Sequence, residues 1–193
     1  MTLNVGIVIP CYRSKGLINN VINRILFISE KLKNDFCLKI FIVDDFCPEK
    51  SWEDVKKDPS IEVIHHSNNL GVGEASMTGF RKAMEEDCQI IIKMDSDGQH
   101  EVKSVYKFIE RLLNSDNALI VGSRFAIGSS ISGLSKKRKN GSNLANSLAR
   151  LTLHRNYKEI SDFMSGCFVF RRSLCIRYLE KIDVSGFKFL YEL

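Results

Sequence analysis

The sequence predicts an α/β sandwich: a mostly parallel central sheet with helices on both faces. Three observations predict it. Short apolar runs rich in β-branched residues alternate with segments of helical period through about residue 123. Those runs lack the polar alternation of a half-exposed sheet, so both faces are expected to be covered. The chain has 193 residues, 44% hydrophobic and 26% charged, the composition of a single globular domain large enough to bury a core.

"LNVGIVIP" (3–10) is the first strand, stopped by Pro10. Ile18, Val21, Ile22, Ile25, Ser29 and Leu32 then recur at helical spacing, with only Ser29 breaking the apolar face. "CLKIFIV" (37–43) is a second strand ending in Asp44 and Asp45, and "IEVIHH" (61–66) a short third. "GVGEASMTGFRKAMEE" (71–86) reads as a helix after a glycine-containing turn. "CQIIIKM" (88–94) is the fourth strand, "EVKSVYKFIERLLN" (101–114) a helix and "ALIVGS" (118–123) the fifth strand. Beyond Phe125 the character changes. "AIGSSISGLSKK" (126–137) reads as a flexible loop, followed by a basic, helix-compatible segment over about 136–153. "SGCFVFRR" (165–172) is another strand-like run, "SLCIRYLEKI" (173–182) a short helix and "FKFLYEL" (187–193) a candidate helix.

The net charge of +5 is too mild to imply nucleic acid, but it suits an anionic ligand or an anionic membrane surface. The six cysteines form no C-x-x-C pair, which argues against a zinc site or a disulfide framework and for reduced thiols in a cytosolic protein. No signal-like N-terminus and no bilayer-length apolar run is present, so the expected location is cytoplasmic, with any membrane contact peripheral.

Ligands of open α/β sheets sit at the carboxyl ends of the strands. Here the first strand ends in "PCYR", the second in "DDF", the fourth in "DSDGQH" and the fifth in "GSRF". Asp95 and Asp97 are like charges that repel unless something positive lies between them. With the amide oxygen of Gln99 they make a hard-oxygen set suited to Mg²⁺ or Mn²⁺, and Gly98 eases the curl that would aim both acids at one ligand. A solvated acidic turn is the alternative. Asp44 and Asp45 are placed either to accept from a ribose or base, or to cap a turn. Gly71 and Gly73 flank a helix start without forming G-x-G-x-x-G, which disfavours a Rossmann dinucleotide site. The run "KKRK" (136–139) is either a solvated helix face or a contact for phosphates or anionic headgroups. None of His65, His66, His100 and His154 reads as a metal ligand.

In order, "IPCYR", "IVDDF", "NNLGVGEASMTGF", "KMDSDGQH", "VGSRF" and "DFMSGCFVFRR" resemble the family 2 glycosyltransferases of GT-A fold. The resemblance is nearest to the branch that holds dolichyl-phosphate mannose synthase and its polyprenyl-phosphate relatives. It implies a single glycosyltransferase domain over 1–193, with a nucleotide-sugar-binding half over 1–123 and an acceptor-side half over 124–193. Pro10 and Tyr12 would frame the base, and Asp44 or Asp45 would hold base or ribose, with Gly71 nearby. Asp95, Asp97 and Gln99 would hold a divalent cation on the diphosphate. Arg124 and Arg138 would contact phosphates, and Asp162 would stand close to the reacting centre. Catalysis would fall to Asp97, Asp162 and Arg124. The chain departs from the family pattern at Arg13 and Ser14, where Asn and Glu are usual, and at Phe46 and Cys47, where a small residue and Ser are usual. It also stops at "GFKFLYEL", before a further strand and an Arg-containing lid, as a truncated or lidless member would.

The expected reaction is metal-dependent, inverting transfer from a nucleotide-diphosphate sugar to a polyprenyl phosphate. A glycan hydroxyl as acceptor would need a carboxylate base, for which Asp162 is the candidate. Two other classes compete. A haloacid-dehalogenase-type phosphatase is disfavoured because its D-x-D sits on the first strand and continues with Thr or Val. A non-catalytic nucleotide-sugar-binding module is the other.

Overall fold

The fold is given by a computed structural model that describes residues 2–32, 34–98, 103–123, 146, 160–179 and 181–182. Its elements are β1 (Leu3–Cys11), α1 (Ile18–Leu32), β2 (Phe36–Asp44), a 3-10 turn (Ser51–Asp54), β3 (Ile61–His65), α2 (Val72–Glu85), β4 (Ile90–Lys93), α3 (Lys103–Leu113), β5 (Leu119–Val121), β6 (Phe168–Arg171) and α4 (Arg172–Leu179). Every element expected within the described residues is present, with shifts of a few residues at the ends. The loop over 126–137, the candidate helix over 187–193 and all but one residue of the basic segment over 136–153 lie outside those residues. Asn146, the exception, is helical and buried.

The six strands form one sheet in the order β3-β2-β1-β4-β6-β5. β1 pairs in parallel with β2 and β4, and β2 in parallel with β3. β6 runs antiparallel to both β4 and β5. The latest of the described strands thus inserts between β4 and β5, a placement that the apolar pattern of "CFVF" does not specify. Because β6 runs backwards, the loop before it arrives at the carboxyl edge of β1, β2 and β4.

Alternate residues of each strand feed two apolar layers, which is why no polar alternation is visible in the sequence. Val5, Ile7 and Ile9 of β1 and Ile92 of β4 pack with Ile18, Val21, Ile22 and Ile25 of α1 and Val105, Ile109 and Leu112 of α3. Val8, Phe41 and Ile91 face the other way, against Met77 and Phe80 of α2 and Cys175 and Leu179 of α4. Phe80 meets Phe170 edge-on with ring centroids 5.2 Å apart. Each such fully buried side chain stabilises the fold by about 1.5–3 kcal/mol relative to exposure. At Gly79 a Cβ would lie 2.2 Å from Val8 Cγ1, so α2 packs on β1 at a distance only glycine permits.

Candidate functional site: an acidic edge at the carboxyl ends of the strands

At the end of β1, Pro10 and Cys11 are buried and the chain then turns outward. Tyr12 is 41% exposed, and the Arg13 guanidinium lies 5.4 Å from its ring centroid. Arg13 adopts a left-handed φ of 52° and donates its backbone N–H to Cys47 Sγ at 3.1 Å. Ser14 donates its N–H to Ser51 Oγ at 3.0 Å, and the Cys47 and Ser51 side chains are 3.2 Å apart. The two departures from the family pattern, at 13–14 and 46–47, are therefore in contact and knit the ends of β1 and β2 together. Burial works to raise the Cys47 thiol, but hydrogen bonds from Ser51, Arg13 and Glu49 outweigh it and leave the thiol below its ordinary range. Cys11 is pushed up to about 11, mainly by burial.

Asp44 and Asp45 are both buried and both engaged by the protein. Asp44 accepts the Cys47 N–H at 3.1 Å and lies 3.1 Å from His65 Nδ1. The His65 ring is edge-on to Trp52, with centroids 4.6 Å apart, and its side chain is 47% exposed. Asp45 is the hub of the loop that leads into α2. It accepts the backbone N–H groups of Leu70 and Gly71, each at 2.8 Å, on its two oxygens. His66 Nδ1 lies 2.9 Å from the same carboxylate, and His66 Nε2 lies 2.9 Å from Thr78 Oγ1. The N–H of Gly71 thus serves Asp45. The histidines gave no signal in the sequence beyond their place at a strand end, and they are the partners that fix this acid pair. Phe46 was noted in the sequence only as a departure. It is 59% exposed and held at a left-handed φ of 54°, a conformation that bulky residues adopt at a cost.

The second acid pair is built differently. Met94 is buried, Asp95 is half-buried, and the backbone turns through Ser96 and Asp97 to Gly98 at φ +74°. Asp97 is exposed. Lys93, the last residue of β4, is 6% exposed and places its ammonium on Asp95 Oδ1. On the other side a Cβ at residue 166 would lie 1.6 Å from Asp95 Oδ2, so the carboxylate occupies the space a side chain would need. Gly166, on the loop before β6, is therefore part of this site. Its signal in the sequence, the "SG" before an apolar run, is too common to have marked it.

That loop is pinned to the end of β5. Ser165 Oγ is 2.6 Å from the Gly122 carbonyl, and the Gly122 N–H donates to the Cys167 carbonyl at 2.9 Å. Ser161 and Ser123 hydroxyls are 2.6 Å apart. Asp162 is fully buried. It accepts the Met164 N–H at 3.2 Å and lies 3.5 Å from Asn146 Nδ2, while Asn146 Oδ1 accepts the Phe163 N–H at 2.8 Å. Gln99, Arg124 and Arg138 lie outside the described residues. A groove of about 600 Å³ runs along the outer edge of β3, past Trp52, Val55, Lys56, Ile61 and Val63, and meets this cluster only at His65.

Among the described residues no three acids, histidines or cysteines converge as a closed metal site. Asp95 and Asp97 offer hard oxygen donors on an open edge. That suits Mg²⁺ or Mn²⁺, which keep positions for phosphate oxygens, better than Zn²⁺.

This layout, a parallel sheet with one inserted antiparallel strand and acids along its carboxyl edge, is that of the GT-A glycosyltransferases. The fold agrees with mannosyl-3-phosphoglycerate synthase from Rubrobacter xylanophilus at a TM-score of 0.63 and 15% identity, over 89% of this chain and 54% of that one. It agrees equally, at 0.63 and 18% identity over 89% and 58%, with glucosyl-3-phosphoglycerate synthase from Mycobacterium tuberculosis in complex with Mn²⁺, UDP-glucose and phosphoglyceric acid. Residues 6–179 match the model of the family described as glycosyl transferase family 2, and the chain belongs to that family. It is 28% identical over 183 residues to the UDP-N-acetylglucosamine–dolichyl-phosphate N-acetylglucosaminyltransferase of Methanococcus voltae, covering 86% of this chain and 69% of the relative. It is 26% identical over 196 residues to the dolichol-phosphate mannosyltransferase of Pyrococcus furiosus, covering 99% and 52%. An undecaprenyl-phosphate mannosyltransferase of Micrococcus luteus is 28% identical over 80% of this chain and 63% of its own. The chain thus spans about half to two thirds of the length of these relatives. Among the described residues no helix is long and apolar enough to cross a membrane.

Proposed function

We propose that this chain transfers a sugar from a nucleotide-diphosphate sugar to a polyprenyl phosphate, with inversion at the anomeric carbon. The observation that carries the reading is the Asp95–Asp97 turn at the carboxyl edge, with Asp95 held between Lys93 and Gly166 and Asp97 left on the open side. The relatives named for dolichyl and undecaprenyl phosphates support the acceptor class.

In this reading Tyr12 and Pro10 border the nucleotide base, and Asp44, with its exposed partner His65, offers the polar contact to base or ribose. Asp45 acts indirectly, by holding the loop over 66–71 and the start of α2 in place. Asp95 and Asp97, with Gln99, hold a divalent cation, which when bound offsets the charge developing on the leaving diphosphate. Arg124 and Arg138 pair with phosphates of donor and acceptor. A lipid phosphate is already ionised near neutral pH and attacks without a base. Asp162, buried and tied to Asn146, then shapes the reacting centre and moves no proton. The enzyme works at the cytoplasmic face of a membrane, in peripheral contact with the lipid that carries its acceptor.

The test is transfer of radiolabelled sugar from panels of UDP- and GDP-sugars to undecaprenyl or dolichyl phosphate in detergent, with Mn²⁺ or Mg²⁺. Organic-phase product that disappears with EDTA and with Asp97→Asn supports the reading. Metal-dependent nucleotide binding without transfer to lipid or glycan acceptors would instead make the chain a binding module.

A further inference from the structure

The reading above uses Lys93 only to hold Asp95, yet this lysine stands at the heart of the acidic edge. Lysine is among the residue types least often buried, and a buried one is normally held by a partner. Here the side chain is 6% exposed. Its strand neighbours are Val8 on β1 and Phe168 on β6, both members of the apolar layer under α2 and α4. The ammonium rises out of that layer onto Asp95 Oδ1. The other oxygen of Asp95 abuts the Cα of Gly166, so the carboxylate is clamped from two sides.

We propose that Lys93 is a resident counter-charge that sets how tightly the Asp95–Asp97 pair takes a divalent cation, making capture of the metal depend on the nucleotide diphosphate. This rests on the proposed function for the identity of the diphosphate, but not for the effect of Lys93 on the metal.

Lys93 offsets one unit of the negative charge that the two carboxylates present to an incoming cation. One unit charge within a few ångströms of a half-buried edge is a sizeable contribution to ion affinity. The edge therefore holds Mn²⁺ weakly on its own. A bound diphosphate adds several negative charges and further oxygen donors on the open side, next to Asp97, and these restore a net attraction for the metal. Lys93 also supplies a partner for half-buried Asp95 whenever no cation is there. The position is thus a positioning residue for the metal and makes no contact with the transferred sugar.

The experiment titrates the full chain with Mn²⁺ alone and then with Mn²⁺ in the presence of UDP or GDP, following the EPR signal of the free ion. Wild type, Lys93→Met, Lys93→Arg and Lys93→Met/Asp97→Asn are compared, with thermal melting as the check on folding. Lys93→Met is expected to bind Mn²⁺ alone about tenfold tighter than wild type, because a unit positive charge is removed beside the site. Lys93→Arg should stay near wild type, and the gain should vanish in the double variant. Equal or weaker Mn²⁺ binding by folded Lys93→Met overturns the proposal. Lys93→Gln serves in its place should Lys93→Met not fold, and failure of both neutral variants beside a folded Lys93→Arg also overturns it, since the charge would then serve the fold. Wild type that takes no Mn²⁺ even with nucleotide tells against the metal-dependent transferase instead, while the comparison with Mn²⁺ alone still decides the role of Lys93.

Discussion

The two acid pairs at this sheet edge look alike in sequence and are built as opposites. Asp44 and Asp45 are buried, and each oxygen of Asp45 accepts a backbone N–H from the loop it organises. Asp95 is half-buried between an ammonium and a glycine, and Asp97 is exposed. The first pair is directed inward, to the chain itself. The second stands nearer the surface, with Asp97 exposed to solvent. The strand-end position that makes both pairs conspicuous says nothing about this difference in burial.

Five substitutions break or sharpen this contrast. The largest effect is expected for Gly166→Ala, whose Cβ would fall on Asp95 Oδ2. The carboxylate has to leave its seat, and sugar transfer should drop by at least about a hundredfold, the scale on which misplacing a catalytic group registers. Transfer within threefold of wild type would mean that the seat is irrelevant to the outward pair. Next, Asp45→Asn removes a buried acceptor of several charge-assisted bonds and should cost about 2–3 kcal/mol in urea unfolding. Asp97→Asn, on the exposed side, should change that figure by less than about 0.5 kcal/mol while abolishing Mn²⁺-dependent nucleotide binding. An exchange of these two phenotypes would reverse the assignment of inward and outward acids.

A smaller effect concerns pH. Cys167 is pushed up to about 12, first by burial and then by Asp95, with Lys93 opposing, against an ordinary value of 9.0. The folded chain holds that proton more tightly than the unfolded chain does. The stability it contributes is therefore full below pH 9 and is lost as pH rises towards 12. Cys167→Ala should flatten the fall of the melting temperature over pH 9–11; an unchanged slope would assign the alkaline loss to other groups. The smallest change is expected for His65→Ala. His65 is largely exposed, and its removal should shift stability by under about 1 kcal/mol. Nucleotide affinity should fall only if Asp44 faces the ligand, so calorimetric titration with UDP and GDP locates the boundary between the inward and outward groups.

Much of the fold was legible because β1, β2 and β4 are largely buried on both faces and their apolar runs are broken only at single positions such as Asn4 and Lys39. The helical face of Ile18, Val21, Ile22 and Ile25 was equally plain, and all four are in the core. The insertion of β6 was not legible, since "CFVF" fits any interior position and nothing local selects its neighbours. The acids of the site were legible from their place after apolar runs. Their partners were not. Lys93 reads as one more strand residue, Gly166 as one more loop glycine, and His66 as an isolated histidine. Gly166 and His66 acquire their roles through contacts between distant segments, over separations that no short window of sequence spans; Lys93 lies two residues from Asp95, but its burial depends on β1 and β6.

The insertion of β6 also bears on how the protein is made. Residues 168–171 complete the sheet between β4 and β5, and the same passage brings Gly166 to the acid turn around residue 95. A nascent chain that has emerged from the ribosome only as far as β5 has β1 to β5 in hand but neither a sheet partner for β5 nor a backstop for Asp95. The surroundings of the acid turn are therefore completed in one step, when that single reversed strand slides home.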